Sequence, residues 1–476
     1  MAEHVADAER HDHGRNDPDE DDLGDGPGSQ NRARIDRDAD TLQDVEDPRS
    51  RQLIRYGGAF FDELVVRASG SFVETAGGRR ILDFTAGQIC ATLGHNHPRV
   101  GAAIRQALDD VVHLNSWMLS PPVLGLTDAL LATVPPPLER AMFLSTGGES
   151  VEVAVRMAKL STGRFEVGSL TRSWHGLTGG AAALTLAAGR RGYGPLLPGT
   201  FDLPAPYAYR CPVRHCDGDC DCTCLEAGFD LFDQASVGSP GAVVAEPVLS
   251  AGGVIVPPPG YFARLVELCE TRGMLLVLDE CQTGLGRLGS MYGFEIYGVV
   301  PDFLVLSKTL GGGIPIGAVL TSAAIEANCH EQGFVHVTSH VSDPLPAAAA
   351  RAVLEVVRDE DLPGRARRAG ERLRGHLREL QRRHEAVGDV RGMGLMWGVE
   401  LVEDRDSRRP AERLGLALSE ECERRGLSMN LVRGGTGGAA NCLRMAPPLT
   451  ISDDEIDLAA DILESSLATL QTPAPR

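Results

Sequence analysis

Residues 274–308 read MLLVLDECQTGLGRLGSMYGFEIYGVVPDFLVLSK. Leu275 to Leu278 and Phe303 to Leu306 are apolar runs of the length expected of buried parallel strands, and each ends in polar residues. The first ends in Asp279 and the second in Ser307-Lys308. In an open α/β sheet, ligands bind in the crevice outside the carboxyl ends of the strands. The spacing therefore predicts a carboxylate and a lysine in one crevice.

Pyridoxal phosphate suits that pair. It needs a lysine to hold it as a Schiff base and an acidic partner to keep its ring nitrogen protonated, so that the ring acts as an electron sink. Upstream, Met142-Phe-Leu predicts another strand, opening through Thr146-Gly147-Gly148 into a helix over Val151 to Leu160. Backbone amides at such a helix N-terminus form a phosphate cradle.

The run LLVLDECQTGLGRLG (275–289) followed by PDFLVLSKTLGGGIPIGA (301–318) resembles the class III branch of the fold-type I pyridoxal-phosphate enzymes. Phe84-Thr85-Ala86-Gly87-Gln88, Ser173-Trp174-His175-Gly176, Thr338 to Pro344 and Leu443 to Leu449 look like the 2,2-dialkylglycine decarboxylases of that branch. The resemblance covers nearly everything after about residue 50. It implies an α/β fold, a large domain with a mostly parallel sheet flanked by helices plus a smaller α+β domain. The expected division is a disordered acidic tail over 1–48, an N-terminal segment of the small domain over 49–95, the large cofactor-binding domain over 96–345 and the C-terminal small domain over 346–476.

The resemblance also assigns roles. Lys308 is the catalytic lysine, Asp279 the partner of the ring nitrogen and Trp174 the ring that stacks on the cofactor and meets the substrate, with His175 nearby. Glu246 and Gln282 join the cofactor site, and Ser339 reaches the cofactor phosphate of a neighbouring subunit. Gln88 holds the substrate carboxylate that leaves as carbon dioxide, because a donor above the ring selects the rotamer in which that bond stands perpendicular to it. Ser250 and Arg444 anchor the substrate carboxylate; an arginine offers two parallel hydrogen bonds that a lysine does not. Leu114, Ser116, Ser339, Val341 and Asp343 match positions that hold an alkali-metal ion, K+ or Na+, whereas the plainer role of Asp343 is an N-cap for the helix after Pro344.

The reaction implied releases CO2 and a ketone from a 2,2-disubstituted glycine and then passes the amino group to a 2-oxo acid such as pyruvate. Ala251 stands where those decarboxylases carry a serine, which favours the alternative, a class III aminotransferase that removes a proton instead. Leu177, Ile89 and Val337 also depart from the resembled pocket and predict room for a larger side chain. An epimerase or aminomutase of the same fold, or a cofactor-free scaffold, are further alternatives. A site built across two chains implies a homodimer with shared active sites, and dimers that pair are conceivable.

Composition bounds the rest. The 476 residues are 43% hydrophobic and 24% charged, ordinary for a globular protein, and the net charge of −20 argues against a nucleic-acid partner. No apolar run approaches the roughly 20 residues that cross a membrane, and the polar, acidic N-terminus is unlike a secretory signal, so a cytoplasmic protein is expected. The tail cannot offset its ordering entropy by burial, and its His4, His11 and His13 are expected to be solvated. Of eleven cysteines, six are scattered in apolar surroundings and are expected to be buried thiols. The others form a loop over 205–225, with Cys211, His215, Cys216, Cys220, Cys222 and Cys224 in the pattern C-x4-C-x3-C-x-C-x-C. That is enough sulfur for zinc, but it lacks the C-x2-C pairs of zinc ribbons, so free thiols are the favoured alternative.

Overall fold

The structure, a computed structural model, describes residues 48–57, 60–187, 192–213, 220–433 and 440–471. The expected tail over 1–48, all but its last residue, with its three histidines, and His215 and Cys216 of the Cys-rich loop lie outside them. The described residues fall into two units, those up to Leu64 and those from Val65 onward. In the first, a short 3-10 turn at Pro48–Gln52 precedes an edge-on contact between Tyr56 and Phe60.

The second unit carries three sheets. β1 (Val65–Ser69), β2 (Phe72–Thr75) and β3 (Arg80–Asp83) pair antiparallel, with Gly78 at φ 80° in the turn before β3. The central sheet holds β4 (Arg140–Leu144), β5 (Glu166–Leu170), β6 (Thr200–Leu203), β7 (Pro240–Ala245), β8 (Leu275–Asp279), β9 (Phe303–Leu306) and β10 (Gly317–Thr321) in the order β4-β10-β9-β8-β7-β5-β6. Only β10 runs against its neighbours. β11 (Val387–Met393), β12 (Met396–Leu401), β14 (Asn430–Arg433) and β15 (Ala440–Met445) make the third sheet, while β13 (Leu427–Ser428), between β12 and β14 in the chain, joins the first by running parallel to β3.

The near-continuous apolar runs of the central strands follow from their burial on both faces. Val243, Leu278 and Leu306 enter one core cluster, and their chain neighbours Val244, Val277 and Val305 enter another on the opposite face. A further core joins Leu82 and Phe84 to Leu373, Leu377, Val399, Leu443 and Ile456, so that the strands at 65–83 share a core with the C-terminal part of the chain. The register that pairs Asp279 with Val305 brings the ends of β8 and β9 side by side, and Lys308 follows at once in a 3-10 turn. The helix Pro344–Asp359 does start behind Asp343, but Asp343 makes no side-chain cap; its carboxylate is taken by His113 and His340. No helix among the described residues is long and apolar enough to cross a membrane.

Candidate active site

A cavity of about 300 Å³ opens at the carboxyl ends of β4, β8 and β9, and its lining includes Thr146, Gly147, Gly148, Trp174, His175, Asp279 and Lys308. Four segments far apart in sequence supply them, as expected of a crevice at strand ends.

Asp279 is the best-defined member. His175 Nδ1 lies 2.8 Å from one carboxylate oxygen and the backbone N–H of Cys281 donates to the other at 3.0 Å. Burial alone would raise this carboxyl; the hydrogen bonds from His175 and Cys281 and the charge of Lys308 outweigh it and hold Asp279 below the usual carboxylate range. It is therefore a buried anion at neutral pH. His175 is 2% exposed, and its Nε2 has no hydrogen-bond partner among the described residues.

The phosphate end is equally specific. Thr146 caps the helix Gly147–Thr162, accepting from Glu149 N–H at 3.2 Å. A Cβ on Gly147 would stand 2.9 Å from Cys281 Sγ and 3.3 Å from Ser307 Cβ, and Gly176, at φ 130°, packs its backbone against Gly148. The first turn is thus stripped of side chains where its amides face the cavity, which leaves room for a bound anion.

A second group lies beyond Trp174. Glu246, at the end of β7, accepts from Trp174 N–H at 2.8 Å and Ser250 N–H at 3.2 Å, and burial pushes its carboxyl up to about 7. Arg444, on β15 and 6% exposed, donates from Nη1 to Ser250 Oγ (3.2 Å) and Gln282 Oε1 (3.1 Å) and from Nη2 to Asn430 (2.8 Å). Burial lowers it to about 10, and Glu246 acts against that shift. Ser250, Gln282, Glu246 and Arg444 thus form one buried polar group, and none of the four is among the residues that line the cavity.

Other residues named from the sequence fall elsewhere in this chain. Gln88 is exposed and does not line the cavity; it sits in a turn where Ala86, Gly87, Gln88 and Ile89 all have positive φ, between 45° and 67°. Ser339 is exposed and likewise outside it. Leu114 and Val341 are half-buried, Ser116 donates to the Thr338 carbonyl at 3.1 Å, and both Asp343 oxygens are met by histidines at 2.6 Å. Ile89 packs in a core cluster with Val248 and Val254, and Leu177 and Val337 are exposed, so none of the three shapes the cavity within one chain. Sequence reasoning missed Cys90 and Cys281, which line the cavity, and Asp83, whose carboxylate ties down the turn bearing Gln88. An Asp two residues before a Thr in a Gly-containing loop is an Asx-turn signal that could have flagged it.

The donor set fits pyridoxal phosphate: a helix N-terminus cleared of side chains, a buried anion held by a histidine, and a lysine on the facing strand end. The comparisons with known proteins agree. Residues 57–467 match the family Aminotransferase class-III. An uncharacterized aminotransferase of Schizosaccharomyces pombe is 46% identical over 88% of this chain and 93% of its own. A probable 4-aminobutyrate aminotransferase of Bacillus subtilis is 32% identical, over 85% of this chain and 92% of its own. Among solved structures, a PLP-bound amine transaminase from an uncultivated Pseudomonas species superposes with a TM-score of 0.79 at 32% identity, covering 89% of this chain and 97% of that one. These names speak for aminotransferases and not for the narrower likeness to the dialkylglycine decarboxylases. The crevice and the comparisons lead to one conclusion: the chain belongs to the class-III aminotransferases and is a pyridoxal-phosphate-dependent aminotransferase of fold type I.

Proposed function

We propose that the chain moves an amino group from an amino acid or amine to a 2-oxo acid by proton transfer, without obligatory loss of carbon dioxide. The observation that carries this is Lys308 and Asp279 on adjacent strand ends around one cavity, with no side-chain amide lining it among the described residues. Ala251 and the aminotransferase names of the relatives support the same reading.

Pyridoxal phosphate, when bound, delocalises the electron pair left by the bond broken at the substrate's amino carbon. The chain's residues do the rest. The amides of Gly147 and Gly148 and the helix dipole hold the phosphate. Asp279, kept ionised and oriented by His175, fixes a proton on the ring nitrogen. Trp174 confines the ring, its backbone set by Glu246. Lys308 would serve as the base that takes the proton from the substrate's amino carbon and holds it for return. Arg444, held by Ser250, Gln282 and Asn430 in a single orientation, offers the substrate carboxylate a guanidinium already desolvated. Replacing Lys308 with Ala is expected to lower turnover by about 10²–10⁴-fold while the purified protein still binds cofactor.

A second reading keeps decarboxylation. Gln88 lies two residues before Cys90, which does line the cavity, and Cys90 Sγ sits 3.5 Å from the Gln88 carbonyl, so the turn that carries Gln88 borders the cavity. The test is one assay: 2-aminoisobutyrate, which has no α-proton, and ordinary amino donors, each with pyruvate. Amino transfer from ordinary donors with no carbon dioxide from 2-aminoisobutyrate supports the proposal. Carbon dioxide release that is lost in Gln88→Ala would replace it with the second reading.

We also infer a homodimer. Trp117, Leu119, Val335 and Val337 are 79%, 74%, 65% and 53% exposed, and their two segments are hydrogen-bonded together through Ser116 and Thr338. An apolar patch of this kind beside the cavity's loops is what a partner chain would cover.

A further inference from the structure

We propose that a second, smaller cavity, lined by Arg172, Tyr207, Arg210, Arg391 and Glu400, binds a small monocarboxylate of acetate or pyruvate size. Its volume is about 120 Å³, enough for two or three carbons with a carboxylate and too little for a sugar phosphate or nucleotide.

Charge carries the argument. Arg391 is fully engaged: Nε and Nη2 donate to the Gly253 carbonyl at 2.9 and 2.6 Å, and Nη1 meets Asp389 and Glu400, each at 2.8 Å. Arg210 donates Nε to Glu400 at 2.6 Å, while its Nη2 is buried with no hydrogen-bond partner among the described residues. Arg172 lies against the Tyr207 ring, 4.8 Å from its centroid, and Arg391 lies 4.7 Å from the same centroid. Among the described residues no carboxylate pairs with Arg172. Three guanidiniums thus face two carboxylates, Glu400 and Asp389, and one positive charge, on the half-buried Arg172, is left over.

The electrostatics agree with the geometry. Burial, with repulsion from Arg391 and Arg210, holds the Arg172 guanidinium below its usual range even though Tyr207 and Glu400 oppose the shift. A planar guanidinium with free N–H groups is the natural bidentate partner of a carboxylate, and the Tyr207 ring offers an apolar wall for a methyl group. The backbone adds a second sign. Arg172 has φ 70°, and a side chain at Gly252 would collide with the Arg172 carbonyl, so two turns are pressed together at a conformational cost. Both turns lead to the active site: Arg172 stands two positions before Trp174, and Gly252 two after Ser250, the partner of Arg444. An anion clamped here would stiffen both.

The experiment is a thermal-melt titration of the cofactor-loaded enzyme with sodium acetate, at an ionic strength held constant with sodium chloride, on wild type, Arg172→Gln and Arg444→Gln. The last variant removes the active-site arginine, which would also take a carboxylate. The expected result is an acetate-dependent rise in melting temperature in wild type and in Arg444→Gln, with the apparent affinity at least about tenfold weaker in Arg172→Gln. A shift that survives in Arg172→Gln, or disappears in Arg444→Gln, would overturn the proposal. So would a shift that sodium chloride alone reproduces. Should Arg172→Gln fail to fold, wild-type crystals soaked in sodium acetate decide the matter: difference density for a carboxylate between Arg172 and Tyr207 supports it, and none there overturns it. None of these outcomes depends on whether the enzyme decarboxylates.

Discussion

Asp83 shows how much a single buried side chain governs here. Its carboxylate accepts from Thr85 N–H and Gly87 N–H, both at 2.9 Å, from the Thr85 and Ser428 hydroxyls, and meets His95 Nε2 at 2.8 Å. These bonds hold four consecutive residues at positive φ, a conformation that non-glycine residues adopt only when the surroundings impose it. Burial would raise the carboxyl, yet the hydrogen bonds prevail and push it down to about 2. A folded-state pKa below the unfolded value stabilises the native state above the unfolded pKa, and that stability drains away as pH falls toward the folded one. Asp83→Asn is therefore expected to cost about 2 kcal/mol at pH 7, and the gap to wild type in urea unfolding should close between about pH 4 and about pH 2. A gap that is flat with pH would mean that geometry, not charge, is what Asp83 supplies. Asp279 makes the opposite kind of prediction, functional and not structural. Asn at 279 keeps one oxygen to accept from Cys281 N–H and turns its amide NH2 to His175 Nδ1, but it carries no charge to hold a proton on a ring nitrogen, so turnover should fall by about 10²-fold or more while the melting temperature stays near wild type. Comparable losses in both would move Asp279 from the chemistry to the core.

At the scale of elements, β8 and β9 were legible because burial on both faces makes a strand an unbroken apolar run, and the run stops where the backbone leaves the sheet. Asp279 and Lys308 could be placed from that stop alone. The helix Gly147–Thr162 was legible for a different reason: Thr, Gly, Gly at its head is both a cap and an anion cradle. Its two ends give a paired test. Gly147→Ala puts a methyl within 2.9 Å of Cys281 Sγ and should weaken cofactor binding about tenfold by displacing the strand ends around the phosphate. Gly163, at φ 66° in the C-cap with open space around it, has no such neighbour. Gly163→Ala should instead cost about 1 kcal/mol of stability through the left-handed backbone and leave cofactor affinity unchanged. Equal effects on affinity at both ends would show that the helix senses general strain and that the cradle has no special role.

For the whole molecule, what could not be read from the sequence is what several distant segments make together. Arg444, Ser250 and Gln282 were each named through the resemblance, but that Ser250, Gln282 and the unnamed Asn430 together orient the guanidinium follows from no local pattern, because they come from three other places in the chain. Gln88 and Ser339 carry motifs that resemblance ties to a cofactor, yet both are exposed and outside the cavity of their own chain. A dimer would account for Ser339, since a loop can serve a partner's cavity while standing clear of its own. The segments around 113–119 and 335–343 are joined by Ser116 to Thr338 and by His113 to Asp343, so they form one patch, and that patch exposes Trp117, Leu119, Val335 and Val337. Light scattering should therefore give a mass near twice the 50.7 kDa of one chain. Trp117→Asp places a charge in the middle of the apolar patch and should yield single chains that lose cofactor and activity together, because the cavity would then lack the partner's contribution. Single chains with full activity would break the link between the patch and the site, and leave the exposed tryptophan without a function in catalysis.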